Sequence, residues 1–349
     1  MVCIAAFIIL CLLSVFVGVL SIFRRDIGKK YWATFKKSWG CVGKRVTFQK
    51  CETNFKEDVK NSILRKVVVR KPKLVKPIGV AIEVAAVLIV LITAWSLVEG
   101  AKAGMALWTL GTCNVSQPEA CVVGATDVCP VNGAELNWFE EWGVIFQAIP
   151  GKFKNWDAEQ YLMEKPIWFH TFDESKPVAI DIFDPGCDKC LQSFVNQVDA
   201  GFFSDYNVAM LPYPTAGESR EFRFNNSYVV TTYILAVAKV PLVESSNINT
   251  AWRIPMRLFT EFDDDGIIWQ SVMKSDETSE ADAREIIESW LVEWGYSSGD
   301  ISAIRKLAEG DEVMEQMEEI RVLVHDRIQV LGVPTTIYDG RKHTGIFQR

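Results

Sequence analysis

Residues 178–198 read VAIDIFDPGCDKCLQSFVNQV, and the fold is decided in this stretch. Residues 178–183 form a short apolar run with β-branched side chains, which is typical of a buried strand. The tripeptide Asp-Pro-Gly at 184–186 then breaks the run, because Pro and Gly favour a turn. After Cys187, apolar side chains recur at helical spacing. The sequence therefore predicts a strand, a turn and a helix, with a C-x-x-C motif where the helix begins.

The position of these cysteines favours redox chemistry. A sulfur in the first turn of a helix faces unpaired backbone N–H groups and the positive end of the helix dipole, and both favour the thiolate. In such motifs the pKa of the first cysteine lies between about 3.5 and about 7.5, against about 8.5 for a free cysteine. We expect Cys187 to be the exposed attacking thiolate, favoured by Lys189 and opposed by Asp188, and Cys190 to be the resolving thiol. A structural disulfide and half of a metal site are the alternatives.

In this context the sequence resembles the thioredoxin superfamily. Besides the C-x-x-C motif, the resemblance rests on Asp181, which stands six residues before Cys187. Thioredoxin-like proteins place a buried carboxylate there, beneath the second cysteine. The resemblance implies that Asp181 is a catalytic residue that accepts a proton from Cys190 during exchange.

The C-terminal part of the chain adds to the resemblance. GVPTTI at residues 332–337 looks like the family's cis-proline loop, which faces the sulfurs, and the segments up to residue 347 fit its terminal hairpin. The resemblance implies that Val333 and Pro334 bind substrate, because the loop leaves the Val333 backbone free to pair with a substrate strand. Gly186, where thioredoxins usually carry a Trp, departs from the family pattern, and the Asp-Lys dipeptide identifies no subfamily.

The predicted fold class is α/β, thioredoxin-like, over residues 176–349. A second strand is predicted at 206–212, followed by a helical insertion at about 213–330, which resembles the DsbA-like extracytoplasmic oxidoreductases. The helices of the insertion are predicted at 227–240, 254–273 with an interruption at 263–266, 280–294, 300–308 and 311–329.

Two apolar runs predict membrane spans. Residues 2–23 carry no charge, and residues 77–98 carry one, so each is long and apolar enough to cross a bilayer. The loop between them, 24–76, is strongly basic although the whole chain has a net charge of −7. Basic loops stay in the cytoplasm, so both termini are expected outside, in a two-span cell-membrane topology. A cleaved signal peptide is the alternative for the first run, but no basic residue precedes it.

Residues 99–175 are predicted to be an extracytoplasmic connecting segment rich in cysteine and aromatic residues. Outside the cell thiols tend to pair, so we expect one disulfide among Cys113, Cys121 and Cys129, with its connectivity open and one thiol left over. The aromatic residues after 135 have helical character and are interpreted as packing. Cys41 and Cys51, in the basic loop, are expected to be reduced.

Together these features predict a membrane-anchored thiol–disulfide oxidoreductase, with oxidase or isomerase activity favoured over reductase activity. Its partners would be protein thiols or disulfides, the lipid bilayer and a membrane redox partner. The acidic body argues against nucleic acid, which leaves the basic loop as the one place for such a role. No cofactor is expected, since the sulfurs hold the electrons, and no histidine has metal-ligand spacing, so no metal is expected. The alternative is a non-catalytic binding or metal-handling module with a structural cysteine pair.

Overall fold

A computed structural model describes residues 75–116, 128–131, 136–217, 221–242 and 248–348, with isolated positions between 11 and 44. The chain divides into two compact units, residues 1–101 and 102–349. The predicted first span and basic loop lie outside the described residues except for those isolated positions, as do Cys41, Cys51 and Cys121. The two-span topology therefore stays a prediction.

The second apolar run forms a helix, α1, at Val75–Leu110. Within the described residues it is the one helix of a length and composition able to cross a membrane, with a mean hydropathy of 2.5 in its most apolar window. The helix continues beyond the predicted end at Val98, because no proline interrupts residues 99–110.

The second unit is built on a five-stranded sheet. Its strands are β2 (Ile167–Trp168), β3 (Val178–Phe183), β4 (Asn207–Pro212), β6 (Thr335–Tyr338) and β7 (Arg341–Thr344), in the spatial order β2-β4-β3-β6-β7. The central strand β3 pairs in parallel with β4 and antiparallel with β6, and β2 and β7 are antiparallel edges. This α/β arrangement confirms the predicted thioredoxin-like fold.

The sheet begins earlier in the chain than predicted. Strand β2, Ile167–Trp168, is hydrogen-bonded to β4, so the sheet includes residues that the sequence assigned to the connecting segment before 176. Two residues are too few to show strand periodicity. The rest of that segment contains the capped helix α2 (Trp138–Ala148) and two short 3-10 turns, Pro150–Lys152 and Ala158–Tyr161.

The helix of the C-x-x-C motif is α3, Asp188–Asp199, and a short helix, α4 (Phe202–Asp205), leads into β4. The predicted helical insertion follows β4. Its helices are α5 (Ser227–Val237), α6 (Thr250–Thr260), α7 (Trp269–Lys274), α8 (Glu280–Glu293), α9 (Ser298–Ala308) and α10 (Asp311–Arg321), with a π-helical turn at Val322–Arg327.

The hydrophobic core lies between this insertion and the sheet. Helix α5 is buried at every residue except Tyr228, and Trp252 packs against rings from β3 and α3. Helix α6 begins before the predicted residue 254, because Asn249 caps it by accepting a hydrogen bond from the backbone N–H of Ala251. The core thus supports β3 and α3, which hold the two cysteines of the motif.

Candidate active site

Cys187 lies between strand β3 and helix α3, directly before the helix, as the sequence predicts. It occupies the N-terminal cap position of the helix in an extended conformation. Its backbone N–H donates to the carbonyl oxygen of Asp184 at 3.1 Å, which closes the turn. A sulfur at this position is next to unpaired N–H groups at the start of α3. The geometry therefore fits a cysteine whose thiolate is stabilised by the helix.

The proline loop lies against this sulfur. The peptide bond between Val333 and Pro334 is cis, and the Sγ atom of Cys187 lies 3.7 Å from the carbonyl oxygen of Val333. Val333 belongs to a second, two-stranded sheet formed by β1 (Cys129–Pro130) and β5 (Gly332–Val333). The predicted cis-proline loop and its position opposite the motif are thus confirmed.

The expected exposure of Cys187 is wrong. Cys187 is 0% exposed and forms a disulfide with Cys129, with their Cα atoms 6.2 Å apart. The cause is the segment 128–131, which pairs with the proline loop and covers the sulfur. Cys129 therefore does not take part in a disulfide with Cys113 or Cys121; Cys113 is disulfide-bonded as well.

Cys190, the second cysteine of the motif, is a free thiol and is 1% exposed. Its Sγ atom accepts a hydrogen bond from the backbone N–H of Asp184 at 3.4 Å. Burial raises the pKa of this thiol well above its usual value, and the charges of Asp184, Asp181 and Asp188 raise it further. Cys190 is therefore a thiol at neutral pH and needs a base before it can attack a disulfide.

Asp181 is buried at the centre of the sheet, on β3. Its Oδ1 atom accepts hydrogen bonds from Nε2 of Gln197 at 3.1 Å and from Oγ1 of Thr336 at 3.3 Å. Burial raises the pKa of Asp181 to about 6, although these two hydrogen bonds oppose the rise. At neutral pH the carboxyl group is thus mostly ionised, yet it binds a proton far more readily than an exposed aspartate does.

Asp184, which the sequence predicts only as part of a turn, is a second buried carboxylate. Its Oδ1 accepts from the backbone N–H of Gly186 at 2.8 Å and from Oγ of Ser227. Its Oδ2 accepts from the backbone N–H and Oγ1 of Thr215, both at 2.7 Å. Burial nevertheless raises the pKa of this group. An aspartate two residues before a glycine, in a turn, was the available signal.

Gln270 and Gly186 also shape the motif and were not predicted to do so. Nε2 of Gln270 donates to the carbonyl oxygens of Pro185 at 2.9 Å and Cys187 at 3.0 Å. Gly186 is required by close packing, because a Cβ atom there would lie 2.3 Å from Cβ of Phe224. The space that a Trp would need at position 186 is therefore filled by Phe224.

Among the described residues, no group of three or more His, Cys, Asp or Glu side chains could hold a metal ion.

The structure brings together Cys187, Cys190, Asp181 and the Val333–Pro334 loop, as predicted, and adds Cys129 and Asp184.

Comparisons with known proteins give weak similarities. No protein-family model and no curated protein matches the chain. Among solved structures, the catalytic domain of Proteus mirabilis ScsC aligns with a TM-score of 0.31 and 14% identity, over 55% of this chain and 88% of that one. A periplasmic thioredoxin-like protein from Salmonella enterica serovar Typhimurium gives 0.31 and 14%, over 54% and 88%. DsbL from the same organism gives 0.30 and 18%, over 52% and 82%.

Proposed function

We propose that this protein is a membrane-anchored, extracytoplasmic thiol–disulfide oxidoreductase that exchanges disulfides with protein substrates through Cys187 and Cys190. The observation that supports it is the position of the Cys187 sulfur, at the start of helix α3 and 3.7 Å from the carbonyl oxygen of Val333. A substrate strand paired with the Val333 backbone brings its own sulfur to Cys187. The apolar helix α1 supplies the anchor.

The exchange proceeds through a mixed disulfide. The Cys187 thiolate attacks a substrate disulfide, forms a bond to one substrate sulfur, and releases the other as a thiolate. Cys190 then attacks the Cys187 sulfur, so that the Cys187–Cys190 disulfide forms and the substrate leaves with the electron pair. The same steps in reverse oxidise a substrate dithiol. No cofactor is needed, since the two sulfurs take up and release the electrons.

The second step requires that the Cys190 thiol lose its proton inside the protein. Its raised pKa leaves it protonated at neutral pH, while Asp181, with a pKa of about 6, is largely ionised there. Asp181 is therefore the proposed proton acceptor, and Gln197 and Thr336 hold its carboxylate in place through hydrogen bonds. A base whose pKa lies close to the working pH transfers protons efficiently in both directions.

We expect Asp181→Asn to slow the resolution step about a hundredfold above pH 7, since general-base catalysis contributes on the order of 100-fold or more. In the parent protein the rate of resolution should rise with pH through about 6, as Asp181 ionises, and the variant should lack this rise. The measurement uses a coloured aromatic thiol bound to Cys187 as a mixed disulfide, in a Cys129→Ser background, and follows its release by Cys190.

Asp188→Asn provides the matched control for this measurement. It also removes one carboxylate near the motif, but its side chain is 61% exposed and paired with Lys274. Its resolution rate should stay within about twofold of the parent, because the charge of an exposed, paired group is screened by solvent. Equal rates for all three proteins across the pH range would show that Asp181 is not the base.

The proposed function is tested by the oxidative refolding of a reduced protein with two cysteines, in glutathione buffer, with the full-length chain as catalyst. We expect acceleration that depends on Cys187. Equilibration with glutathione then gives the reduction potential. A value near about −270 mV would identify a reductase, whereas values towards about −120 mV would support the favoured oxidase or isomerase.

The second candidate is the non-catalytic module. It is favoured by the burial of Cys187 in the Cys129–Cys187 disulfide, against which Cys129 packs partly buried, because a buried disulfide is typical of a structural bridge. The same refolding measurement separates the two functions, because a structural bridge predicts equal rates with the parent chain, with Cys187→Ser and without protein.

A further inference from the structure

The segment 128–131, with the sequence Val-Cys-Pro-Val, occupies the place at which a substrate strand would bind. Cys129 and Pro130 pair antiparallel with Val333 and Gly332, directly before the cis-proline. The backbone N–H of Val131 donates to the carbonyl oxygen of Leu331 at 3.0 Å. Strand addition of this kind is how proteins bind extended peptides. The segment is therefore held by the loop in the way that a substrate would be.

The loop is shaped to receive this segment closely. A Cβ atom at Gly332 would lie 2.9 Å from Cβ of Val128 and 3.2 Å from the carbonyl oxygen of Cys129. The segment also makes a hydrogen bond outside the loop, because the carbonyl oxygen of Val131 accepts from the backbone N–H of Ala216 at 3.2 Å. Val128 and Val131 are both buried. Backbone pairing, side-chain burial and the glycine at the point of closest approach therefore all hold segment 128–131 in the same position on the loop.

The disulfide bond between Cys129 and Cys187 also resembles the bond that a substrate would form. Cys129 is bonded to Cys187, the cysteine to which a substrate would be attached, and Cys190 lies buried nearby as a free thiol. We infer that Cys129 is a third redox-active cysteine and that segment 128–131 is an internal substrate, whose mixed disulfide with Cys187 keeps external substrates out. This inference rests on the proposed function and adds a regulation to it.

The switch needs no external oxidant or reductant. Cys190, after losing its proton, attacks the Cys187 sulfur, the Cys129–Cys187 bond breaks, and the Cys187–Cys190 bond forms. The electron pair leaves on the Cys129 sulfur, which takes up a proton. One disulfide and one thiol are present before and after the step, so atoms and electrons balance. Cys129 then withdraws with its segment, and the proline loop becomes available to a substrate.

A segment of the same chain competes with external substrates at a high effective concentration, because its binding is intramolecular. An external protein at a lower concentration therefore meets mostly closed molecules. Its apparent rate of exchange falls in proportion to the open fraction. Removing the internal cysteine should raise that rate, while every residue proposed to perform the exchange stays in place.

The test compares oxidised full-length proteins in two measurements. Disulfide mapping by mass spectrometry should find the Cys129–Cys187 pair in the parent and the Cys187–Cys190 pair in Cys129→Ser. With a reduced two-cysteine peptide as substrate, Cys129→Ser should be about tenfold faster than the parent, as expected if about a tenth of the parent molecules are open. Cys113→Ser removes the disulfide of Cys113, in which neither Cys129 nor Cys187 takes part, and should match the parent.

Gly332→Ala keeps every cysteine and places a methyl group against Val128 and Cys129, so it should shift the map from the Cys129–Cys187 pair towards Cys187–Cys190. A parent map with Cys129 free, or paired elsewhere, would overturn the inference. So would equal peptide rates for the parent and Cys129→Ser; if both rates depend on Cys187, the proposed function stands. If the Cys129–Cys187 pair is found but no protein shows Cys187-dependent exchange, the bridge is structural and both proposals fail.

Discussion

Cys187→Ser should abolish thiol–disulfide exchange, with a loss of at least about a thousandfold, as is common when a nucleophile is removed. A serine hydroxyl stays protonated at neutral pH and forms no disulfide, so neither step of the exchange remains. Cys190 cannot take over, because burial and the nearby carboxylates raise the pKa of its thiol well above the usual value, and the serine at position 187 forms no disulfide with it. The measurement is the oxidation rate of a reduced two-cysteine peptide.

Cys129→Ser is the matched control for this prediction. Both variants lose the same Cys129–Cys187 disulfide, which closes a loop of 58 residues in sequence separation, and with it about 2–4 kcal/mol of stability. A loss of activity that Cys187→Ser shows and Cys129→Ser does not is therefore chemical and not a consequence of lower stability. Similar residual activity in the two variants would contradict the role of Cys187 as the attacking cysteine.

Cys190→Ala separates the two steps. It leaves Cys187 at the start of helix α3 and removes the resolving thiol. In a Cys129→Ser background, Cys187 of this variant should form a mixed disulfide with a peptide that contains a disulfide. The mixed disulfide should persist, because no neighbouring thiol can release the peptide. Capture without turnover distinguishes resolution from attack, and Cys187→Ser should show neither.

The sequence was sufficient for the motif and its immediate surroundings because these depend on local patterns. The apolar run at 178–183, the turn and the helical spacing after Cys187 are all readable within a few residues, and the structure places β3 and α3 there. The loop at Val333–Pro334 could be placed opposite the motif through a resemblance, not through spacing. Its cis peptide bond and its contact with Cys187 agree with that resemblance.

What the sequence could not reveal depends on distant contacts. A list of cysteines does not state which of them pair, and the partner of Cys187 lies 58 residues away, in a segment that pairs with Gly332. Nor could the four hydrogen bonds to Asp184 be foreseen, because two come from Thr215 and one from Ser227, residues that follow β4 in the chain. An Asp-Pro-Gly sequence indicates a turn whether or not the carboxylate is buried.

Asp184→Ala should destabilise the protein by about 3 kcal/mol, since each buried backbone N–H left without an acceptor costs roughly 1–3 kcal/mol. The carboxylate accepts from two backbone N–H groups, of Gly186 and Thr215, and these cannot turn to find another partner. The hydroxyl groups of Thr215 and Ser227 can rotate, so they add less. Relief of the buried charge, which is seen in the raised pKa of Asp184, offsets part of the loss. The measurement is denaturant unfolding of the full-length chain in detergent.

Three further variants separate the hydrogen bonds from the charge. Asp184→Asn removes the charge but points an NH₂ group at donors, so it should still cost about 2 kcal/mol, because one backbone N–H loses its acceptor. Ser227→Ala removes one rotatable donor and should cost about 1 kcal/mol. Asp188→Ala removes an exposed carboxylate paired with Lys274 and should stay within about 1 kcal/mol of the parent.

Asp184→Ala should also change the solvent access of Cys190. The backbone N–H of Asp184 donates to its Sγ, and the turn that positions this N–H is held by the Asp184 side chain through Gly186. Loosening the turn should let solvent reach Cys190, whose thiol is buried in the parent, and its alkylation should then become faster in Asp184→Ala than in Asp188→Ala. If Asp184→Ala is as stable as Asp188→Ala and leaves Cys190 equally protected, the carboxylate does not hold the turn, and the support for the resolving cysteine must come from Gln270 and the packing of Phe224 instead.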